Sequence, residues 1–504
     1  MKVLSKKDYS NETSSIDFSK IQIGSKKLED PTLAIGNFKK ANPLWGDAAY
    51  VLKVIDNGDL SAMREISNFF FRASGIYSRL CRYMAFFYRY DWYVTPFVNN
   101  ESVKEEKILD GFHKSLTILD KFKVKKVLGE IALKVIRNGC YYGYLVDNGD
   151  NFTIQELPIK YCRSRFFTSE GRPAVEFNMQ YFDDAFKDTN QKIKILNIFP
   201  KEFKKGYVAY KEGRLKPEFI GDAAGWYLLN PDFALKFNLN QEDYPAFMSV
   251  IPAIIDLDEA KGLDKKKRLQ DLAKIVIQKF PLDKNGDLIF DEEEMAVLHS
   301  NACQMLSRAI GLDVLSTVAD VAVEDLADNT STTSTDDLQR VERAIYNEAG
   351  VSQMQFNTDG NIALEKSIAN DEAAMYNLIL QFEELLNLLL RKNNKNSKKL
   401  YYSVQILNTT IYNYKDMAKL YKEQAQMGYS KMLPQIALGQ SQSSILANAY
   451  FENTILDLVK VFIPPLTSNT MNADALDQIG DVGRPEKPDD EKSTKTIQNK
   501  ESAS

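Results

Sequence analysis

The sequence predicts an α+β protein made of several structural modules. The chain has 504 residues and a mass of 57.4 kDa, more than one hydrophobic core usually organises. Its 44% hydrophobic and 26% charged residues are typical of a folded protein. Segments with a helical spacing of apolar residues alternate with short strand-like runs bounded by turn residues. We therefore expect about two to four modules that share interfaces.

The composition argues against an enzyme. The chain has only two histidines, so most catalytic triads and zinc-protease sites lack their usual participant. No GxxxxGK[ST] or GxGxxG loop is present. The four cysteines lie far apart without a CxxC pair, and we expect them to be reduced and buried. They are Cys81, Cys140, Cys162 and Cys303. We expect no catalytic residue, no cofactor and no metal ion.

Charge and hydropathy restrict the partners. The first thirty residues lack the apolar segment of a signal peptide, and arginines interrupt the most aromatic stretch, so we expect no membrane span. With 64 basic and 69 acidic residues the net charge is −5, the wrong sign for tight, non-specific DNA binding. A mildly acidic surface remains compatible with a protein past which DNA slides.

The first long element is a helix with an arginine stripe, predicted within Leu60–Phe97 after a polar, lysine-rich N-terminal arm. Its arginines are spaced by seven, three and seven residues, which places them on one helical face. They are Arg72, Arg79, Arg82 and Arg89. The stripe either binds nucleic acid or pairs with a neighbouring element or subunit, and the acidic balance of the chain favours pairing.

A helix over Lys121–Asn138 and a β-rich section then form one α+β module that ends near Asn240. The β-rich section begins with "GCYYGYLVDNGDNFTIQELP", which Asn-Gly breaks, and continues with a hairpin around Glu170-Gly171-Arg172-Pro173. Three further runs are predicted as strands: "KIKILNIF", "GYVAY" and "GWYLL".

A charged helix follows Tyr244-Pro245 and carries a basic run, usually a solvated helix face. The run consists of Lys265, Lys266, Lys267 and Arg268. The next stretch, "FPLDKNGDLIFDEEE", fits either a calcium loop or a turn. A calcium loop would draw its oxygen ligands from Asp283, Asn285, Asp287, Asp291 and Glu294, but Leu288 stands where such a loop needs Gly. The turn is favoured because Asn285-Gly286 suits a tight turn and the later acids suit a helix N-terminus. We expect an extended segment, a helix and a second extended segment here.

The C-terminal third is predicted to be largely helical. A capped helix runs from Ser334 to Gly350, and after a polar break a long helix spans about Ile368 to Lys392. The long helix is apolar over much of its circumference, so its own chain or a ring of subunits must bury it. A strand "LYYSVQIL" and helices on both sides of Gly439 follow. The acids of "PDDEK" near the C-terminus resemble a nuclease-like set, but they lie in a polar tail that we expect to be disordered.

This order of parts resembles a tailed-bacteriophage portal protein, the head-to-tail connector, of the kind found in phages of Gram-positive hosts. The resemblance rests on "REISNFFFRASGIYSRLCRYMAFFYRYDWYVTP", on "EQAQMGYSKMLPQIALGQSQSSILANAYFEN" and on "GRPEKPDDEKSTKTIQNKES", and it covers roughly Asn42 to Ser504. It implies an α+β portal fold with wing, stem, clip and crown, assembled as a dodecameric ring at one capsid vertex. The implied domains are a 1–41 N-terminal arm, a 42–244 wing, a 245–275 stem helix, a 276–328 clip, a 329–350 second stem helix, a 351–366 tunnel loop, a 367–394 long wing helix, a 395–412 wing strand, 413–465 crown helices and a 466–504 disordered tail.

The resemblance also implies a function and partners. The ring would be the channel for DNA packaging and ejection. Its partners would be further copies of itself, the terminase large subunit, a head–tail adaptor, the major capsid and scaffolding proteins, and double-stranded DNA in the channel, with no membrane. The protein would be found in the virion and, during assembly, in the host cytoplasm.

The implied site residues fall into three groups. The tunnel loop facing DNA would present Gln355, Asn357, Asp359 and Asn361, without an arginine. The stem would carry Lys265 to Arg268, and the clip turn would contain Asp283, Asn285, Gly286 and Asp287. Two alternatives remain: another phage head–tail structural protein, such as an adaptor or minor capsid component, or a metal-dependent nucleic-acid enzyme built on the acidic clusters.

Overall fold

The computed structural model describes residues 46–99, 103–149, 151–216, 224–272, 276–281, 289–309, 314–317, 342–343, 345–350, 362–394 and 399–458. Helices and strands are mixed along these residues, which confirms the predicted α+β class. The helices are α1 (Ala48–Asp56), α2 (Leu60–Ala73), α3 (Gly75–Ala85), α4 (Glu105–Phe122), α5 (Val124–Asn138), α6 (Tyr181–Ala185), α7 (Thr189–Ile198), α8 (Lys201–Lys211), α9 (Val250–Leu272), α10 (Glu292–Ala309), α11 (Ile362–Asn393), α12 (Tyr414–Gln426), α13 (Leu433–Ala437) and α14 (Gln442–Tyr450). The strands are β1 (Trp92–Val98), β2 (Cys140–Asp147), β3 (Phe152–Glu156), β4 (Cys162–Phe167), β5 (Pro173–Asn178), β6 (Trp226–Leu228), β7 (Ala234–Asn238), β8 (Val276–Lys279), β9 (Val314–Thr317) and β10 (Leu400–Ile406).

These strands form small sheets. Three-stranded sheets have the orders β3-β2-β7 and β4-β5-β6, while β1 pairs with β10 and β8 pairs with β9. The β1–β10 pair is antiparallel, with Trp92 opposite Ile406 and Val98 opposite Leu400. This pairing joins the N-terminal part of the chain to a strand that lies about 300 residues later in the sequence.

The prediction of a single arginine-bearing helix from Leu60 is wrong. The chain forms α2 and α3, separated by Ser74, whose backbone is extended (φ −106°, ψ 120°). The Ser74 hydroxyl accepts a hydrogen bond from the Tyr77 amide at 3.3 Å, so Ser74 caps α3. An N-cap serine followed by glycine ended the first helix although the apolar spacing continued across it.

The arginines of this region contact aromatic rings. The guanidinium carbon of Arg82 lies 5.6 Å from the centre of the Phe71 ring, and that of Arg89 lies 4.3 Å from the centre of the Tyr414 ring. Such contacts are attractive because the ring face is electron-rich. For Arg89 the expected pairing with a neighbouring element is therefore confirmed.

The hairpin predicted around Gly171 is confirmed, and the strand-like runs that Asn-Gly separates form a second hairpin. β2 and β3 form an antiparallel hairpin in which Gly149 has a φ of +84°. In the turn between β4 and β5, Gly171 has a φ of +80°, and its amide donates to the Thr168 carbonyl at 2.9 Å. Positive φ is the conformation that glycine adopts without a steric penalty. The strand predicted at "GWYLL" is also present, as β6.

Two other runs predicted as strands are helical. "KIKILNIF" lies largely in α7 and "GYVAY" lies in α8. The Asp188 carboxylate caps α7 by accepting hydrogen bonds from two following backbone amides at 3.3 and 3.2 Å. α8 follows Pro200, and its Phe203 and Tyr207, one helical turn apart, are fully buried. Capping residues and this spacing outweighed the short alternation of apolar residues.

An aromatic core holds the β-rich section together. Its buried members are Cys140, Tyr142, Tyr144, Leu157, Cys162, Val175, Phe177, Met179, Tyr181, Phe182, Leu196, Phe199, Phe203, Tyr207, Leu229 and Ala234. The Phe203 ring lies edge-on to Tyr144, Phe177 and Phe199, with centroids 5.1, 5.3 and 5.2 Å away. Edge-to-face contacts add to the free energy of burying these rings. We call this set the aromatic core.

Three cysteines are free and buried, as predicted: Cys81, Cys140 and Cys162. Burial raises the pKa of the Cys81 thiol to about 12 and that of Cys140 to about 11. These thiols are therefore protonated at neutral pH and unreactive.

The chain forms two compact units, residues 1–441 and residues 442–504. In the second unit, α14 continues into a π-helical turn over Phe451–Ile455. This segment exposes Phe451 and Ile455 to 50% and 60%. Helices on both sides of Gly439 are confirmed: α13 ends before it and α14 begins after it.

Candidate assembly and channel elements

α9 changes character along its length. Its first turns are apolar, and Val250, Ile251, Ile254 and Leu257 are buried, while α1 and α3 pack against the helix. From Asp258 to Gly262 the helix is largely exposed to solvent. With 23 residues, α9 is ~35 Å long at 1.5 Å per residue. The helix is thus packed against the unit at its N-terminal end and is largely exposed over residues 258–262.

A second helical segment, described at residues 342–343 and 345–348, contacts α9. The Lys261 ammonium lies 3.6 Å from the Glu342 carboxylate, with both side chains solvent-exposed, so this pair contributes less than about 1 kcal/mol. Ile345 is fully buried. The segment ends at Gly350 with a φ of +68°, which confirms the predicted C-terminal cap.

Between α9 and this segment lies the β8–α10–β9 module, residues 276–317. β8 and β9 run parallel, with Val276 opposite Val314 and Lys279 opposite Thr317, and α10 forms the crossover and packs against β9. The predicted order of an extended segment, a helix and a second extended segment is confirmed.

The acids at the start of α10 act as predicted. The Met295 amide donates to the Asp291 carbonyl at 2.9 Å, and the Asp291 amide contacts the Glu294 carboxylate at 3.5 Å. Negative charge in a first helical turn favours the helix. These acids therefore have a structural role at the helix N-terminus. The turn residues Asp283, Asn285, Gly286 and Asp287 lie outside the described residues.

Within the described residues the β8–α10–β9 module has two strands. Parallel strands usually occur in larger sheets covered on both faces, and two strands alone are marginally stable. In the described part of the chain no third strand pairs with β8 or β9. Around α10, Ile289, Val297 and Leu298 are 54%, 58% and 37% exposed. In the described structure these two strands pair only with each other, and apolar side chains around α10 are exposed.

Lys265, Lys266, Lys267 and Arg268 lie in the C-terminal half of α9. Consecutive helical residues are rotated by about 100° relative to one another, so four in a row surround the helix. At most part of this run can belong to any one helix face.

Of the predicted channel loop, 351–366, the structure describes residues 362–366. Gln355, Asn357, Asp359 and Asn361 lie outside the described residues. The long helix α11 begins at Ile362 rather than near Ile368, so the last residues assigned to the loop are helical. The sequence "IALEKS" contains good helix formers, whose propensity outweighs the polarity that favours a break.

The apolar side of α11 is covered by its own chain. Met375, Leu378, Phe382, Leu386 and Leu389 are fully buried, and α11 packs on β10, α4 and β7. This burial therefore gives no argument for a ring of subunits. On the part of α11 whose side chains are described, the exposed large apolar residues are Tyr376 and Leu380.

Two polar residues fasten α11 to β10. The Ile406 amide donates to the Glu383 carboxylate at 2.7 Å, and the Val404 amide donates to the Asn387 side chain at 2.8 Å. Burial raises the pKa of Glu383 above its ordinary value, and the bond from Ile406 partly opposes this shift.

A buried carboxylate that the sequence reasoning missed lies next to β1. Asp91 is fully buried, bonded to Lys125, 3.4 Å from the Arg89 guanidinium and 2.8 Å from the Thr409 hydroxyl. Arg89 also donates to the Ala437 carbonyl at 3.1 Å. The Lys125 ammonium donates to the Gly439 carbonyl at 3.2 Å. The two cations therefore tie the C-terminal end of α13, where cations are favoured, to the start of β1. An acid inside the aromatic run "FFYRYDWYV" was the available signal.

The described residues contain no group of three or more His, Cys, Asp or Glu side chains able to hold a metal ion. Among the helices of the described residues, none is both long and apolar enough to cross a membrane. No protein-family model matches the chain, and no curated protein matches it.

Proposed function

We propose that the chain is the subunit of a portal ring of a tailed bacteriophage. The ring, a dodecamer, would stand at one capsid vertex and serve as the channel for DNA packaging and ejection. It would dock the terminase large subunit during packaging and a head–tail adaptor afterwards. The role is structural, without a reaction of its own.

The β8–α10–β9 module carries this proposal. It lies in sequence between α9, which is largely exposed over residues 258–262, and the segment that contacts α9 through Lys261 and Glu342. With two parallel strands in the described residues and with Val297 and Leu298 exposed, the module has strand edges and apolar side chains that a partner molecule would cover. Identical copies around an axis would supply further strands to every copy alike, which is how a closed ring avoids free edges.

The charge balance supports a channel that does not hold DNA. The net charge is −5, and the predicted loop contains Asn357, Asp359 and Asn361 but no arginine. Such a lining offers few cations to bind DNA phosphates. We expect the assembled ring to bind duplex DNA weakly in filter-binding assays, with a shallow dependence on salt. Nanomolar affinity with steep salt dependence would contradict this lining.

Electron microscopy and native mass spectrometry of the full-length chain test the ring. We expect closed rings with an axial channel for the wild type, and monomers for Val297→Asp/Leu298→Asp, because a carboxylate in a covered apolar contact is costly. Leu109→Asp, at a residue that is 55% exposed on α4, is the matched control and should still form rings. An adaptor or minor capsid component would give no ring with an axial channel, and a folded monomer at every concentration would end the proposal.

A further inference from the structure

A groove of about 480 Å³ lies between α5 and the β2–β3 hairpin. The end of α4 and the first turns of α5 form one wall, and β3 forms the opposite wall. The two helices meet at Lys123, whose φ of 55° turns the chain sharply. Because of this corner, Lys121, Lys123 and Lys126 line the same groove. We call it the basic groove.

The basic groove carries excess positive charge. Four lysines and two glutamates line it, which leaves a net charge of +2. Lys134 pairs with Glu156, and Lys126 lies 3.9 Å from Glu130 with both side chains largely exposed. Within the described residues, Lys121 forms no ion pair, and neither does Lys123. Two cations at the rim are therefore available to an anionic ligand.

The lining between the charges is apolar and contains one orphaned polar atom. Val127, Ile131 and Ile154 line the basic groove beside Asn151. The Asn151 side-chain oxygen is buried without a hydrogen-bond partner in the described structure. A buried polar atom without a partner is costly, and since the amide can be turned over, the position suits a ligand acceptor or donor. Charge, apolar lining and orphaned amide together describe a site for a ligand with both acidic and apolar groups.

We propose that the basic groove binds an acidic, apolar-anchored peptide segment of a partner protein. Its carboxylates would pair with Lys121 and Lys123, an apolar side chain would lie against Val127 and Ile131, and a peptide amide would meet Asn151. Duplex DNA fits less well, because its phosphates lie on a convex surface and two glutamates line the groove. The basic groove shares no residue with the β8–α10–β9 module, so this proposal goes beyond the ring function and can succeed or fail without it.

Fluorescence anisotropy with the full-length chain tests the proposal. The probe is a fluorescein-labelled peptide of about ten residues alternating Glu and Leu, which spans ~33 Å when extended. We expect saturable binding that weakens at least tenfold, or about 1.4 kcal/mol, in Lys121→Glu/Lys123→Glu. Lys160→Glu/Lys187→Glu, which reverses two exposed charges of the same unit, is the matched control and should bind like wild type. Asn151→Leu should weaken binding about threefold through loss of the amide's hydrogen bond.

Three outcomes would overturn the proposal. They are the absence of saturation up to about 1 mM peptide, an equal loss in the control pair, and competition by a duplex oligonucleotide with the same dependence on Lys121 and Lys123. A peptide alternating Lys and Leu should not bind; its binding would be a fourth outcome against the proposal, because it would show that the interaction is apolar only. Thermal unfolding of each variant checks that the exposed substitutions leave the fold intact.

Discussion

The aromatic core buries its apolar side chains within one chain, whereas the β8–α10–β9 module leaves apolar side chains exposed. The aromatic core closes within one chain, with Phe177, Phe203 and Tyr207 fully buried. The module has a two-stranded parallel sheet in the described structure and leaves Val297 and Leu298 exposed. Mutations in the first should affect the stability of the subunit, and mutations in the second should affect only contacts between molecules.

The largest effect is expected at Phe203. Phe203→Ala removes a ring that contacts Tyr144, Phe177 and Phe199, and should lower the free energy of unfolding by about 3–5 kcal/mol. Phe203→Leu keeps most of the volume and should cost less than about 1.5 kcal/mol. Urea unfolding followed by circular dichroism measures both. Equal, small losses would mean that the aromatic core is not closed as described.

Asp91 should come next. Asp91→Asn leaves Arg89 and Lys125 without their carboxylate, and we expect a loss of about 2–3 kcal/mol in the free energy of unfolding. Glu130→Gln removes a pair that is exposed on both sides and should change the same quantity by less than about 0.5 kcal/mol. If the two variants are equally stable, Asp91 with Arg89 and Lys125 does not fasten α13 to β1.

A smaller, pH-dependent effect is expected at Asp183. Burial alone would raise its pKa, but hydrogen bonds from Lys192, Lys211 and Tyr207 outweigh burial and hold the pKa below its ordinary value. The folded carboxyl then releases its proton more readily than the unfolded one, so its stabilisation is present at neutral pH and lost as the pH falls through the folded pKa.

We therefore expect Asp183→Asn to be less stable than wild type by about 1 kcal/mol at pH 7, a modest value because water screens these pairs. The difference should shrink as the pH falls below the ordinary aspartate pKa of about 4 and then through the lower pKa of the folded carboxyl. Thermal unfolding of both proteins across this range measures the difference. A constant difference at all pH values would contradict the assignment.

The smallest effect on subunit stability belongs to the β8–α10–β9 module. Val297→Ser/Leu298→Ser should change the free energy of unfolding of the monomer by less than about 0.5 kcal/mol, because both side chains already meet water there. Sedimentation velocity should nevertheless show loss of the oligomer. A large destabilisation of the monomer would show that the module is completed within its own chain.

Sequence patterns predicted the fold where local chemistry decides it. Asn-Gly, Gly171 and Gly350 marked turns and a helix end correctly because few residues adopt positive φ. The patterns failed in "KIKILNIF", where an N-cap aspartate and tertiary burial outweighed alternation, and at Ser74, where a cap interrupts a continuous apolar stripe. The position of Asp91 in an aromatic run hinted at burial, but its partners Lys125 and Thr409 could not be assigned from sequence, since they meet it only in the folded chain.

The candidate site was less predictable than the fold. The order of α9, β8, α10 and β9 followed from periodicity, but whether strand edges are free depends on distant parts of the chain or on other molecules. The polar residues Asn357 and Asp359 and the turn at Asn285 remain predictions.

Hydrogen exchange of the backbone amides in Val276–Lys279 and Val314–Thr317 tests most directly whether copies of this chain complete the β8–α10–β9 module. We predict strong protection in wild-type oligomers and weak protection in the Val297→Asp/Leu298→Asp monomer, with β2 and β5 equally protected in both. Equal protection of β8 and β9 in oligomer and monomer would contradict the account.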